Sequence, residues 1–175
     1  GVLLGNGDGT FQARRSFATG IAPNSVAVAD INGDGVPDLV SADTVSTTSV
    51  LLGNGDGTFQ ARKSFATGTV PTSVAAADIN GDGVLDFVTA DVDNDTASVL
   101  LGNGDGTFQA RRSFATGTRP YSVAVVDVNG DGKLDMVTMD NGSNTTSVLL
   151  GNGDGTFQAK TSFAVGVNPY SVAVA

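Results

Sequence analysis

Val50-Leu51-Leu52-Gly53-Asn54-Gly55-Asp56-Gly57-Thr58-Phe59-Gln60-Ala61 decides how this chain folds, because the same twelve residues begin again at Val2, Val99 and Val148. The copies stand 48, 49 and 49 residues apart. Two further blocks keep that period. Ser-Phe-Ala-(Thr/Val)-Gly-x-x-Pro begins at Ser16, Ser64, Ser113 and Ser162, and Asp-(Ile/Val)-Asn-Gly-Asp-Gly-x-x-Asp begins at Asp30, Asp78 and Asp127. A period of this length, sustained over the chain, is the mark of a repeat architecture.

Each repeat reads as four short strands. Residues 25–29 (SVAVA) alternate Val with Ala and fit a crowded inner strand. Residues 39–42 (LVSA) follow the Asp-rich turn, and 49–52 (SVLL) lead into Gly-Asn-Gly-Asp-Gly. That glycine-rich stretch turns a hairpin, since Asn-Gly and Asp-Gly accept positive φ. Residues 58–66 (TFQARKSFA) alternate Phe with polar side chains and fit an outer strand. Glycine recurs too often for helices. Four antiparallel strands per repeat of 40–50 residues describe an all-β chain of β-propeller blades. The blades are expected over residues 21–68, 69–117 and 118–166. Residues 1–20 supply the third and fourth strands of a partial blade, and 167–175 the first strand of the next or split one, about 3.6 repeats in all. An unpaired strand edge at either end invites self-association, so a structural subunit of a filament or sheath is one reading.

Composition narrows the chemistry. The 175 residues carry a net charge of −9, and all 18 acidic residues are Asp. That balance argues against nucleic acid and against an anionic membrane surface. No apolar run reaches the ~20 residues of a membrane span. With no His and no Cys, Ser–His and Cys–His catalysis, disulfides and zinc sites built from those ligands are excluded. The acid–base candidates are Asp residues in glycine turns without a partner base, so no enzyme is expected.

The acidic block is the candidate site. Oxygen side chains stand at loop positions one, three, five and nine: Asp30, Asn32, Asp34 and Asp38, then Asp78, Asn80, Asp82 and Asp86, then Asp127, Asn129, Asp131 and Asp135. Glycine at position six permits a sharp turn, and the backbone carbonyl at seven (Val36, Val84, Lys133) is a natural further ligand. Calcium takes six to eight hard oxygens in such loops, so one Ca²⁺ per loop, three in all, is the cofactor expected. Position twelve is Ser41, Thr89 and Thr138 rather than an acid, and strand-like sequence follows, which sets these loops apart from the helix-flanked EF-hand. The Gly-Asn-Gly-Asp-Gly turns, with one Asn and one Asp each, read as plain hairpins. The carboxylates of Asp91, Asp93 and Asp95 alternate in one repeat only.

The loop, together with the Phe-Ala-Thr-Gly-x-x-Pro block, resembles the FG-GAP repeats of integrin α-subunits and, more closely, VCBS-type repeats. The resemblance covers almost the whole chain. It implies a propeller of seven blades with calcium held between the first two strands of a blade. It also implies extracellular adhesion, ligand binding or assembly at the cell surface, with a protein or glycan as partner. The chain departs from the pattern in carrying Phe-Ala where the family name has Phe-Gly, and in its number of repeats.

A carbohydrate-binding lectin is the alternative, weakened by a shortage of stacking aromatics: nine Phe at core-like positions, two Tyr (Tyr121, Tyr170) and no Trp. Asn94, Asn141 and Asn144 open N-glycosylation sequons in loops rich in Ser and Thr, which makes a glycoprotein a further expectation.

Overall fold

The computed structural model describes residues 1–174, and twelve strands form three four-stranded antiparallel sheets with no helix. The first sheet holds β1 (Pro23–Ala29), β2 (Asp38–Asp43), β3 (Thr47–Leu51) and β4 (Lys63–Ala66). The second holds β5 (Pro71–Ala77), β6 (Asp86–Asp91), β7 (Thr96–Leu100) and β8 (Arg112–Ala115). The third holds β9 (Pro120–Val126), β10 (Asp135–Asp140), β11 (Thr145–Leu149) and β12 (Thr161–Ala164). In every sheet the spatial order is the chain order. These are propeller blades, and among the described residues they do not close into a ring.

The core lies between blades. The inner strands β1, β5 and β9 sit side by side in chain order. Val40, Ala42, Val50 and Leu52 of the first blade pack against Val74 and Phe87 of the second. Val88, Ala90, Val99 and Leu101 of the second pack against Val123 and Met136 of the third. The pleat sends Phe87 to one junction and Val88 to the other, so β6 is buried along its whole length on both faces. Each large side chain fully buried there contributes about 1.5–3 kcal/mol. A second contact repeats at every junction. Phe17, Phe65 and Phe114 meet Phe59, Phe108 and Phe157 of the following hairpin edge-to-face, with centroids 5.0, 5.1 and 5.2 Å apart. Leu4, Leu52 and Leu101 lie against Gly57, Gly106 and Gly155, where an added Cβ would come within 2.6, 3.0 and 2.8 Å of the leucine.

Three expectations are corrected. The fourth strand is shorter than residues 58–66: regular pairing covers Lys63–Ala66, and Phe59 makes a single bridge to Gly53. Val50 pairs with Lys63 while Gly53 pairs with Phe59, so the outer strand carries one extra residue and bulges between them. Within residues 1–20, only isolated bridges form, Val2 with Arg15 and Gly5 with Phe11, in the register of the later hairpins. Residues 167–174 run beside β9, where Val172 N–H donates to Ser122 Oγ at 3.3 Å, but they are not a strand. Elsewhere each inner strand pairs with the second strand of its own blade, and 167–174 have no such partner among the described residues. Ala175, the last residue of that expected strand, lies outside the described residues.

Candidate functional site

Each acidic loop is the turn between the first and second strands of a blade. Gly33 and Gly35 take φ of +72° and +82°, which glycine adopts without strain, and the reversal brings positions one, three and five together. The Asp34 amide donates to both Asp30 Oδ1 at 3.0 Å and Asn32 Oδ1 at 3.2 Å. Gly35 N–H donates to Asp30 Oδ2 at 2.8 Å, and Asn32 Nδ2 donates to Asp34 Oδ2 at 2.8 Å. Asp78 and Asn80 converge likewise on the Asp82 amide at 3.0 and 3.1 Å, and Asp127 and Asn129 on that of Asp131 at 3.2 and 2.9 Å. In the third loop the Gly132 N–H holds the Asp127 carboxyl below its ordinary range, with the Gly130 and Asp131 amides adding to the effect.

The ninth-position aspartates turn inward instead. Asp38, Asp86 and Asp135 are fully buried. Asp38 Oδ2 accepts from Ile31 N–H at 2.9 Å and its Oδ1 from Gly53 N–H at 2.7 Å. Asp86 accepts from Ile79 and Gly102 at 2.9 and 2.8 Å, and Asp135 from Val128 and Gly151 at 3.0 and 2.8 Å. Each carboxylate thus ties the loop to the hairpin beyond the third strand. Burial pushes the Asp86 carboxyl above its ordinary range, against the two amides that pull it down. Among the described residues no three carboxylates gather closely enough to form a metal cluster on their own. The expected oxygens divide into an exposed trio and a buried anchor.

The trio fits a hard cation. Two carboxylates and an amide oxygen are the donors calcium selects. Asp30 Oδ1 and Oδ2 each accept one N–H and retain a second lone pair, whereas Asp78 Oδ1 and Asp127 Oδ1 accept two each and leave Oδ2, with one N–H, as the freer oxygen. Asp30, Asn32 and Asp34 would hold the ion, with their counterparts in the other loops. The carbonyls of Val36, Val84 and Lys133 belong to the same turns.

At the opposite end of the second strand lies a polar cluster that sequence reading missed. Asp91 is fully buried and accepts from Thr89 Oγ1 at 2.8 Å and Ser98 Oγ at 2.5 Å, while Ser98 Oγ accepts from Gly68 N–H at 3.1 Å. Asp140 does the same with Thr138 and Ser147, and Asp43 with Ser41 and Ser49. A Cβ on Gly68 would lie 2.4 Å from Asp91 Oδ2, so the Thr-Gly that links blades must be glycine. The available signal was Ser/Thr-x-Asp recurring at Ser41, Thr89 and Thr138.

Models of the FG-GAP-like repeat match residues 1–41, 31–89, 85–138 and 127–175, leaving no part of the chain outside. The chain belongs to the FG-GAP-like repeat family. No curated protein sequence matches it. Among solved structures, this FG-GAP-like array is similar to an Agrocybe aegerita lectin that recognises non-reducing terminal N-acetylglucosamine. That likeness has 26% identity and a TM-score of 0.60, and covers 91% of this chain and 45% of the lectin. It is also similar to BBS1N, solved in complex with ARL6DN, at 16% identity and a TM-score of 0.62, over 89% of this chain and 48% of that one. The array therefore spans about half the length of either.

The sequons of the FG-GAP-like array fall in the turns between second and third strands. Asn94 is exposed, and its Oδ1 accepts from Thr69 N–H. Asn141 and Asn144 are half-buried against residues 168 and 169. Asp91, Asp93 and Asp95 diverge: Asp91 is buried, Asp93 and Asp95 are exposed, and Asp95 Oδ1 accepts from Arg119 N–H at 2.8 Å.

Proposed function

We propose that this chain is a calcium-stabilised, non-enzymatic binding module of the FG-GAP-like family, acting outside the cell or at its surface on a protein or glycan partner. The observation that carries the reading is the meeting of Asp30, Asn32 and Asp34 on one amide, repeated in all three loops. Calcium titration by calorimetry tests it, with three equivalents expected for the wild type. Asp34→Ala removes one equivalent, whereas Asp8→Ala, in an exposed hairpin where Thr10 N–H and Oγ1 bond Asp8, leaves three. Extracellular modules bind calcium with dissociation constants of about 10⁻⁴–10⁻³ M, so calcium tenfold above that stabilises by roughly 1.4 kcal/mol per site. Three sites together give about 4 kcal/mol, which chelation removes and magnesium restores poorly. No uptake in the wild type defeats the reading.

A second reading, a carbohydrate-binding module, is favoured by the 26% identity to the Agrocybe aegerita lectin over 91% of this chain. Screening on a glycan array separates it from a purely protein-binding role.

A further inference from the structure

The two tyrosines that looked too few for sugar stacking are brought together. Each inner strand begins with a bulge one residue after its proline, at Asn24, Thr72 and Tyr121. A bulge re-aims the extra side chain. At the first junction Asn24 Nδ2 donates across it to the Pro71 carbonyl at 2.9 Å, and at the second Thr72 Oγ1 donates to the Pro120 carbonyl at 3.3 Å. At the third, the position carries Tyr121, which meets Tyr170 edge-to-face with centroids 5.2 Å apart and planes at 73°. Tyr170 is 63% exposed. The two rings make an open aromatic corner where the repeat elsewhere has a short polar clamp.

A cation is fixed beside that corner. Arg119 takes a left-handed φ of 54°, a conformation uncommon for a residue with a side chain, and its own N–H is anchored on Asp95 Oδ1 at 2.8 Å. Its guanidinium lies 5.8 Å from the Tyr121 ring centroid, and Nη2 donates to the Tyr121 hydroxyl at 3.1 Å. A guanidinium carries five N–H donors, and a carboxylate matches its fork with two parallel bonds. The other basic residues lie in the outer-strand segments or, for Lys133, in an acidic loop. Of the residues directly preceding the three inner strands, Ala22, Val70 and Arg119, only Arg119 is charged, and Lys160 Nζ donates to the Thr116 carbonyl in the linker before it. The seven-residue β9 separates Arg119 by about 20 Å from the acidic loop at the other end.

We propose that Tyr121, Tyr170 and Arg119 form a binding site for a carboxylate-bearing pyranose, a uronic acid, with the sugar's C–H face on the Tyr170 ring and its carboxylate on the Arg119 fork. The proposal rests on the binding-module reading and names its ligand class and surface. The test is titration of the isotope-labelled chain, followed by NMR, with D-glucuronate, D-glucose and acetate separately. Glucuronate is expected to shift the Tyr121, Tyr170 and Arg119 signals and to bind at least tenfold tighter than either glucose or acetate. Arg119→Gln lowers glucuronate to the level of glucose, and Tyr170→Ala, at an exposed side chain, weakens both sugars. Equal affinity for glucuronate and glucose, equal affinity for glucuronate and acetate, shifts confined to other surfaces, or no binding each overturn the proposal. The comparison of three ligands on the wild type requires no variant to fold. Calcium uptake is measured on the same sample in a separate titration, so failure of the calcium reading and failure of the sugar site appear in different data.

Discussion

Asp86→Ala separates an architectural carboxylate from a metal ligand. The wild-type side chain accepts from the Ile79 amide at 2.9 Å and the Gly102 amide at 2.8 Å, and Asp86 itself is fully buried. Alanine leaves both donors without a partner, and each buried, unsatisfied donor costs about 1–3 kcal/mol. The expected loss is therefore about 2–6 kcal/mol, a large share of a typical total of about 5–15 kcal/mol. For a chain of this length, each kcal/mol lowers the melting temperature by about 2–4 °C, giving a fall of roughly 4–24 °C. The assay is thermal unfolding followed by circular dichroism, in excess EDTA and again in calcium. Asp82→Ala, in the exposed trio of the same loop, serves as comparison. It should cost little in EDTA and lose its one site's share of stabilisation in calcium. The reasoning fails if Asp86→Ala melts like the wild type in EDTA and differs only when calcium is present.

Glycine substitutions should separate two kinds of strain. Gly68→Ala places a Cβ 2.4 Å from Asp91 Oδ2 and should lose about 1–3 kcal/mol or more by overpacking. Gly33→Ala has open space but a φ of +72° and should lose only about 1–2 kcal/mol, both read from denaturant midpoints. Phe108→Ala removes a ring stacked on Phe87 at 4.4 Å and edge-on to Phe65 at 5.1 Å, so it should cost about 3 kcal/mol in the same assay. Burial holds the Asp91 carboxyl above its ordinary range, against the hydroxyls of Ser98 and Thr89. The folded chain therefore keeps that proton more readily than the unfolded one. The resulting stability is fully present below the unfolded pKa of about 3.9 and is lost as pH rises through the raised folded value. Urea melts at a series of pH values should show this loss in the wild type relative to Asp91→Asn, and parallel curves for the two would exclude it.

The blades were legible because two simple signals repeat: alternation with period two in the strands, and Asn-Gly and Asp-Gly where the chain must reverse. The acidic loop was legible for the same reason, since oxygen side chains at every second position share one side of a turn. What the loop pattern conceals is the division of labour inside it. Asp34 and Asp38 are both aspartates spaced as ligands would be, but Asp38 also opens β2. Its side chain points into the protein, onto amides that belong to residues 31 and 53. The second of those partners lies a whole hairpin away, beyond anything local spacing encodes. The Asp43, Asp91 and Asp140 cluster escaped because its members come from two strands and from the linker of the preceding repeat. Tyr121 and Tyr170 stand a full repeat apart, and only the packing of residues 167–174 beside β9 puts their rings in contact. Alternation alone predicts a fourth strand longer than Lys63–Ala66 because it continues through residues 60–62, while the bulge that interrupts pairing leaves no mark on that pattern.

The leucine that rests on the next hairpin's glycine has a consequence for how such a gene changes. Leu4 meets Gly57, Leu52 meets Gly106 and Leu101 meets Gly155, so each unit carries both the plug and the socket. Recombination between copies that adds or removes one whole unit recreates the same joint at the splice, whichever two copies are brought together. Loss or gain of a part of a unit does not, because the plug then faces a surface of the wrong phase. Array length is thus free to drift in whole steps, while the sequence at the joints is held alike, since every plug must enter every socket.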